Sequence, residues 1–278
     1  MLSTSLKYLR VIKHSKKRAV CTALVPAAGS SSRMGSENKL LMDLNGAPVL
    51  ARTLAALQVS RRVDEIIVAA REQDLETVSR LCADYKIDKC SQVVVGGETR
   101  AHSVLLAAMA ARRDAGLLAV HDGARPLITP DLINQTIETA IIYGAAAPAI
   151  PVKDTIKQIK QIKQIRENNQ DNNQDENQES AGDAEKSVKN NINAVEKTLE
   201  RDYLRAIQTP QVFDADLLKA ALQKAVQDGA NITDDCSAVE ALGKIVYLID
   251  GDEENMKITT PMDFVLARAV LEKRMRGE

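Results

Sequence analysis

Ala19-Val20-Cys21-Thr22-Ala23-Leu24-Val25-Pro26 is a run of small and branched residues that passes directly into Ala27-Ala28-Gly29-Ser30-Ser31-Ser32-Arg33-Met34-Gly35. A short apolar run without polar alternation reads as a strand buried on both faces. The small residues after it let backbone N–H groups approach an anion such as a phosphate closely, and Arg33 and Lys39 add positive charge there. It is not a Walker A loop, because no Lys-Ser/Thr follows the second glycine. Nor is it G-x-G-x-x-G, since no glycine stands between Gly29 and Gly35. Taken alone, the loop reads more simply as a flexible Gly/Ser connection; its neighbours in the sequence decide.

Outward from this strand, apolar runs alternate with helical patterns. Pro48–Leu57 reads as a helix with Leu50, Leu54 and Leu57 on one face. Glu65–Ala70 is a second strand and Leu75–Asp84 a helix; Gln92–Val95 is a third strand, followed by a helix over Ala101–Arg113. Leu117–His121 is a fourth strand, Leu132–Ile142 a helix, and Ala146–Ile150 a candidate fifth strand. Near the end, Ile245–Ile249 adds a strand and Pro261–Met275 a helix. Such alternation predicts an α/β fold of Rossmann-like type: a mostly parallel, twisted sheet with helices on both faces.

The chain has 278 residues, 45% hydrophobic and 27% charged, which suits a packed core with a charged surface. Its formal charge of −1 argues against binding nucleic acid through bulk electrostatics, and 3% aromatics with no Trp argue against a stacking platform for single strands. No apolar run approaches the roughly 20 residues of a membrane span. The four cysteines form no C-x-x-C pair, so neither a zinc site nor a disulfide framework is suggested. Six basic residues precede Val20, whereas the first acid is Glu37. Residues 1–19 therefore read as a disordered basic extension, with a transit peptide as the alternative. The expected location is the cytoplasm of a bacterium, or a plastid if the extension is a transit peptide.

The pattern breaks between Thr155 and Glu200. Ile156, Ile159, Ile162 and Ile165 recur every third residue, and 11 of the 23 residues from 158 to 180 are Asn or Gln. With almost nothing apolar after Ile165, this segment cannot bury enough surface to offset its ordering entropy, and it reads as a low-complexity insertion over about 158–194.

Four further clusters lie at strand ends or in loops. They are Gly96-Gly97-Glu98-Thr99-Arg100 with His102 and Ser103, His121-Asp122-Gly123-Ala124-Arg125-Pro126, Thr209-Pro210-Gln211, and Thr233-Asp234-Asp235. In open α/β sheets, ligands bind outside the carboxyl ends of the strands, where these segments would converge. Singly, each has a plainer explanation: Asp122 and Arg125 could pair with each other, and Thr233 could cap a helix.

Together, PAAGSSSRMG…K, GGETRAHSV, HDGARPLI, TPQVF, ITDD-x-SAVE and NMKITTPMDF, in this order and spacing, resemble the 2-C-methyl-D-erythritol 4-phosphate cytidylyltransferase family of the nonmevalonate isoprenoid pathway. The resemblance covers roughly residues 20–157 and 195–275. The ribitol-5-phosphate cytidylyltransferases share the TPQ and Asn-x-Lys-Ile-Thr-x-Pro segments but generally open on Ala-Gly-Gly, where this chain has Pro26-Ala27-Ala28-Gly29. They are the alternative; a non-catalytic nucleotide-binding scaffold would be expected to lack Arg33, Lys39 or Lys257, and all three are present.

The resemblance implies transfer of CMP from CTP to 2-C-methyl-D-erythritol 4-phosphate, with Mg²⁺ as cofactor. Pro26, Ala27, Ala28 and Gly29 would wrap the CTP phosphates, and Arg33 and Lys39 would stabilise charge on the reacting α-phosphate. Gly97, Glu98 and Ser103 would contact cytosine and ribose. Asp122 and Arg125 would lie between nucleotide and substrate, with Asp122 a weak Mg²⁺ contact because the phosphates hold the ion. Thr233 and Lys257 would complete the sugar-phosphate site. Thr155 and Arg201 would sit on a protruding β-arm, about 152–209, that reaches into a second copy of the chain. The partners would thus be the two substrates and a homodimer mate, without nucleic acid or membrane. His102 and His121 would be positioning or structural residues, because no protein nucleophile is needed. One departure matters: the family usually has Pro-Lys-Gln where this chain has Asn38-Lys39-Leu40, one position nearer the arginine.

Overall fold

The computed structural model describes residues 19–29, 38–160 and 193–277. The basic start, Arg33 with its serines, and the body of the insertion lie outside them. The chain divides into two compact units: one running to Ile150 and resuming at Ile207, the other Pro151–Ala206.

The first unit is built on β1 (Val20–Pro26), whose Cys21, Ala23, Leu24 and Val25 are fully buried. It pairs in parallel with β2 (Glu65–Ala70) on one side and β4 (Ala115–Val120) on the other, and β2 carries β3 (Cys90–Val95) at the sheet edge. Alternate residues of β1 enter different cores, as the pleat requires. Cys21, Ala23 and Val25 pack with α1 (Val49–Val59), α2 (Leu75–Asp84), α4 (Pro130–Tyr143) and the last helix, while Leu24 faces α3 (Arg100–Ala110). The sheet is thus covered on both faces, and its strands read as continuous apolar runs for that reason.

The helices start where side chains can take up their orphan N–H groups. Thr99 accepts from the His102 N–H at the head of α3, and Thr129 accepts from Leu132 N–H, followed by Pro130 in the first turn of α4. α4 stops at Gly144, whose φ of 83° is one a Cβ would resist.

After α4 come β5 (Ala145–Pro151), the second unit with β6 (Lys157–Lys160) and β7 (Ala194–Thr198), and the short β8 (Arg205–Ile207). β9 (Gln211–Asp214), α5 (Ala215–Gln227), α6 (Asp235–Glu240), β10 (Tyr247–Asp250) and α7 (Pro261–Arg276) follow. The sheet order is β10-β5-β9-β4-β1-β2-β3, parallel throughout except at β9, which runs opposite to both β4 and β5. This reversal sets Gln211 beside Val120, at the same sheet edge as the carboxyl ends of the parallel strands.

The strands and helices expected from the apolar pattern are present, most within two or three residues of the expected bounds. TPQVF, which the expected pattern assigns to no element, leads into the antiparallel β9, and α5 and α6 are likewise absent from that expectation. α5 buries Ala215, Leu218, Ala221, Leu222 and Ala225 at helical spacing, so its signal was in the sequence.

In the second unit β6 and β7 form a two-stranded antiparallel ribbon, with Lys157 opposite Thr198 and Lys160 opposite Ala194. Every residue of both strands is exposed. The ribbon is held by its ladder and by polar pairs across it, Lys157 Nζ to Thr198 Oγ1 at 2.7 Å and Gln158 Nε2 to Glu196 Oε2 at 3.0 Å.

Candidate active site

A cavity of about 500 Å³ opens at the carboxyl ends of β1, β3 and β4. Its first wall is Pro26-Ala27-Ala28-Gly29, continuing from β1; the Ala27 N–H still bonds the Ala69 carbonyl at 2.7 Å, which fixes where the loop departs. The second wall leaves β3 through Gly96 and Gly97. A Cβ on Gly96 would stand 2.5 Å from the Ala28 Cβ, so the two walls can meet only because residue 96 is glycine. Ser103, buried in the first turn of α3, accepts from the Gly97 N–H (3.0 Å) and donates to the Thr99 carbonyl (2.9 Å). That hydroxyl ties the Gly97-Glu98-Thr99 loop into one shape, with backbone and Glu98 facing the cavity.

Lys39 lies on the cavity wall despite the one-residue departure around it. Its turn is braced from outside: Asn38 Nδ2 donates to Asp74 Oδ2 (3.0 Å), Arg71 pairs with the same carboxylate (2.6 Å), and Leu50 N–H bonds the Leu40 carbonyl (2.9 Å).

The floor is Asp122. Its Oδ1 accepts from Arg100 Nη1 at 2.7 Å, and its Oδ2 faces Lys257 Nζ at 3.0 Å and Arg125 Nε at 3.4 Å. Burial alone would raise this carboxyl, but the charges of Arg100, Lys257 and Arg125 outweigh it and hold Asp122 far below the usual carboxylate range. Lys257 keeps 41% of its side chain exposed and lines the cavity, so its ammonium can meet a ligand. It is placed by the Ile258 N–H, which bonds the Ala124 carbonyl at 2.9 Å. Arg125 sits behind the wall, donating to the Asn255 carbonyl at 2.6 Å, and acts as a brace for Asp122.

Below this floor, Thr209 Oγ1 accepts from the Asp122 N–H (3.1 Å) and stands 2.9 Å from His121 Nδ1. His121 is fully buried, and burial lowers its pKa to about 4, so the ring is neutral near pH 7 and its Nδ1 can accept the Thr209 proton.

The cavity therefore brings together Pro26, Ala27, Ala28, Gly29, Lys39, Gly97, Glu98, Ser103, Asp122 and Lys257. Thr233 is exposed and not on its wall; the residue that caps α6 is Asp234, which accepts from the Ser237 N–H, so the capping reading of Thr233 is corrected. Thr155 and Arg201 belong to the second unit, where Arg201 Nη1 donates to the Lys153 carbonyl at 2.8 Å beside a cavity of about 590 Å³. Arg33 lies outside the described residues.

Sequence reasoning assigned no role to Arg100 and Gln211. Arg100 joins Asp122 to Asp235, both at 2.7 Å. The Gln211 amide holds the start of α6 through Asp234 Oδ2 (2.9 Å) and the N–H groups of Asp235 and Cys236 (2.9 and 3.0 Å). The signal for Arg100 was its place in GGETR, one residue past a helix cap and thus at the sheet's ligand edge.

Residues 21–178 and 179–273 match the family described as IspD: 2-C-methyl-D-erythritol 4-phosphate cytidylyltransferase. The chain belongs to this family. Among its relatives, the 2-C-methyl-D-erythritol 4-phosphate cytidylyltransferase of Halalkalibacterium halodurans is 36% identical over 256 residues, covering 92% of this chain and 98% of that one. That of Thermosynechococcus vestitus is 37% identical over 256 residues, covering 92% and 97%. The solved 4-diphosphocytidyl-2C-methyl-D-erythritol synthase of Anaerococcus prevotii superposes with a TM-score of 0.72 at 27% identity, over 92% of this chain and 100% of that one. The Thermus thermophilus cytidylyltransferase gives 0.64 at 29% identity, over 90% and 98%. Membership of the cytidylyltransferase family fits this site, where the small-residue backbone of Ala27-Ala28-Gly29 and the side chains of Lys39 and Lys257 line one cavity. Among the described residues, no helix is long and apolar enough to cross a membrane.

Proposed function

We propose that this chain transfers CMP from CTP to 2-C-methyl-D-erythritol 4-phosphate, releasing pyrophosphate. The observation that carries the reading is the convergence of Lys39, Lys257 and the triply paired Asp122 on a cavity whose other walls are the bare backbone of Ala27-Ala28-Gly29 and Gly97-Glu98.

A phosphate monoester has its second pKa near about 6, so the substrate is largely a dianion at neutral pH and needs no protein base. It attacks the α-phosphorus of CTP, and the bond to pyrophosphate breaks. The protein must hold two anionic partners in line and offset the charge that gathers between them. Ala27-Ala28-Gly29 wrap the triphosphate, with the N–H groups of Ala28 and Gly29 offered to it while the Ala27 N–H stays bonded to the Ala69 carbonyl, and Gly97, Glu98 and Ser103 shape the base and ribose side. Lys39, together with Arg33, meets the charge developing at the α-phosphate, and Lys257 orients the incoming phosphate. Asp122 fixes Lys257 and Arg100, Arg125 keeps Asp122 in place, and Thr233 serves the sugar phosphate.

Asp122 fits a supporting part toward Mg²⁺. It is ionised, but its oxygens already face three cations, and among the described residues no three His, Cys, Asp or Glu side chains gather as a metal site. Asp122 would stand beside an ion carried mainly by the CTP phosphates, and Mg²⁺ when bound supplies charge neutralisation across them.

The second unit is assigned to dimerisation. A two-stranded ribbon with every strand residue exposed is marginal alone, and a second copy of the chain would cover it. Thr155 and Arg201 then act in the neighbour's site, where a guanidinium can grip the substrate phosphate bidentately. The relatives are bacterial, which supports a bacterial cytoplasm as the compartment.

The test is pyrophosphate release with CTP, Mg²⁺ and each polyol phosphate in turn. Release with the methylerythritol phosphate and formation of its cytidine diphosphate ester are expected; release with ribitol 5-phosphate alone would overturn the reading. For the arm, exchanging subunits between Arg201→Ala and Lys39→Ala chains should restore activity, because one site of each mixed dimer then carries neither defect. No recovery after confirmed exchange removes Arg201 from the trans role.

A further inference from the structure

Two of the four cysteines, distant from the substrate cavity, form a pair. α2 ends at Asp84 and the chain turns back at once into β3. The Ile87 N–H bonds the Cys82 carbonyl at 2.8 Å, Lys86 takes a φ of 53°, and the Cys90 N–H bonds the Ile87 carbonyl at 2.9 Å. The turn sets Cys82 Sγ 3.5 Å from Cys90 Sγ. Cys82 is buried on the inner face of α2, whereas Cys90 is half-buried at the start of the edge strand, where small solutes can reach it. Cys21 and Cys236 are buried.

A disulfide needs its sulfurs about 2.05 Å apart. The gap of 3.5 Å is thus within reach of small side-chain rotations, and the backbone bonds of the turn hold both Cα atoms in place while they occur. We propose that Cys82 and Cys90 form a reversible thiol–disulfide site whose oxidant is a hydroperoxide.

The chemistry balances in two steps. One thiol is oxidised by the peroxide to a sulfenic acid, the O–O bond breaking and one water (or alcohol) leaving. The neighbouring thiol then attacks that sulfur; the S–S bond forms, the S–O bond breaks, and a second water departs. A dithiol reductant returns both thiols by exchange. The cross-link would bind α2 to β3, and the far end of each adjoins a segment that leads to the cavity wall. Asp74, beside the first turn of α2, holds Asn38 next to Lys39, and β3 runs into Gly96 and Gly97.

The full chain, treated with hydrogen peroxide, is denatured in an alkylating reagent and analysed by mass spectrometry before and after dithiothreitol. The expected result is two alkyl groups on the chain instead of four, a mass that is lower by two hydrogen atoms once the alkyl groups are subtracted, and a linked peptide pair containing Cys82 and Cys90, all reversed by dithiothreitol. Cys90→Ser should abolish the linked pair. If both thiols stay alkylatable at a peroxide dose that oxidises a free cysteine peptide, the site is refuted. It is equally refuted if Cys90 is oxidised to sulfinic acid while Cys82 stays reduced.

Discussion

Arg100 precedes Asp235 by 135 residues, yet Arg100 Nη2 and Asp235 Oδ2 stand 2.7 Å apart, with Asp235 fully buried. The same guanidinium holds Asp122, so one side chain sets the starts of α3 and α6 and the floor of the cavity in a common register. Arg100→Met should destabilise the fold by about 3–5 kcal/mol, because it leaves a carboxylate buried without its partner. Arg100→Met with Asp235→Leu should lose less than Arg100→Met alone. Denaturant unfolding of the three proteins checks both statements; equal losses would mean that the Arg100–Asp235 pair is not what the single change breaks.

Lys39→Ala should lower turnover by roughly 10²–10³, the usual cost of losing one group aimed at transition-state charge, with a much smaller change in the KM for CTP. Steady-state kinetics separates the two. Near-normal turnover would place this lysine on the wall without a part in the chemistry.

Gly96→Ala should raise the KM for CTP several-fold, because its new methyl would fall 2.5 Å from the Ala28 Cβ and push the phosphate loop aside. Removing the obstacle, as in Gly96→Ala with Ala28→Gly, should recover part of the loss. Absence of any recovery would put the effect at the Ser103 hydroxyl, the next neighbour at 3.1 Å.

His121 gives a pH dependence of known sign. Unfolded, it takes up a proton near its ordinary value of 6.5; folded, burial resists this until about 4. Between those values the unfolded state holds more protons, so its contribution to stability is full above pH 6.5 and is lost progressively as pH falls toward 4. His121→Asn should flatten the fall of stability across that window, measured by unfolding at several pH values. Parallel curves for the two proteins would refute the assignment.

The fold was legible where burial is two-sided. β1 and β2 show as unbroken apolar runs because helices cover both faces of the sheet. β9 was not, since Gln211 at its head is buried for its hydrogen bonds to Asp234, Asp235 and Cys236, contacts that no local pattern encodes. Within the candidate site, wall residues such as Gly97 and Lys257 could be read from ordered motifs. Arg100 could not be given its task, because its two carboxylates come from distant segments that only the folded sheet brings together.

Lys160 and Ala194 are ladder partners at the open end of the β6–β7 ribbon. Paired strand positions lie about 4.5–5.5 Å apart, so whatever chain joins these two residues leaves the fold and returns to it at almost the same place. A joint of that kind accepts cargo. A reporter domain with adjacent termini could replace the intervening residues, and the enzyme would then carry a sensor on its ribbon while its sheet, its helices and its cavity kept their own connections.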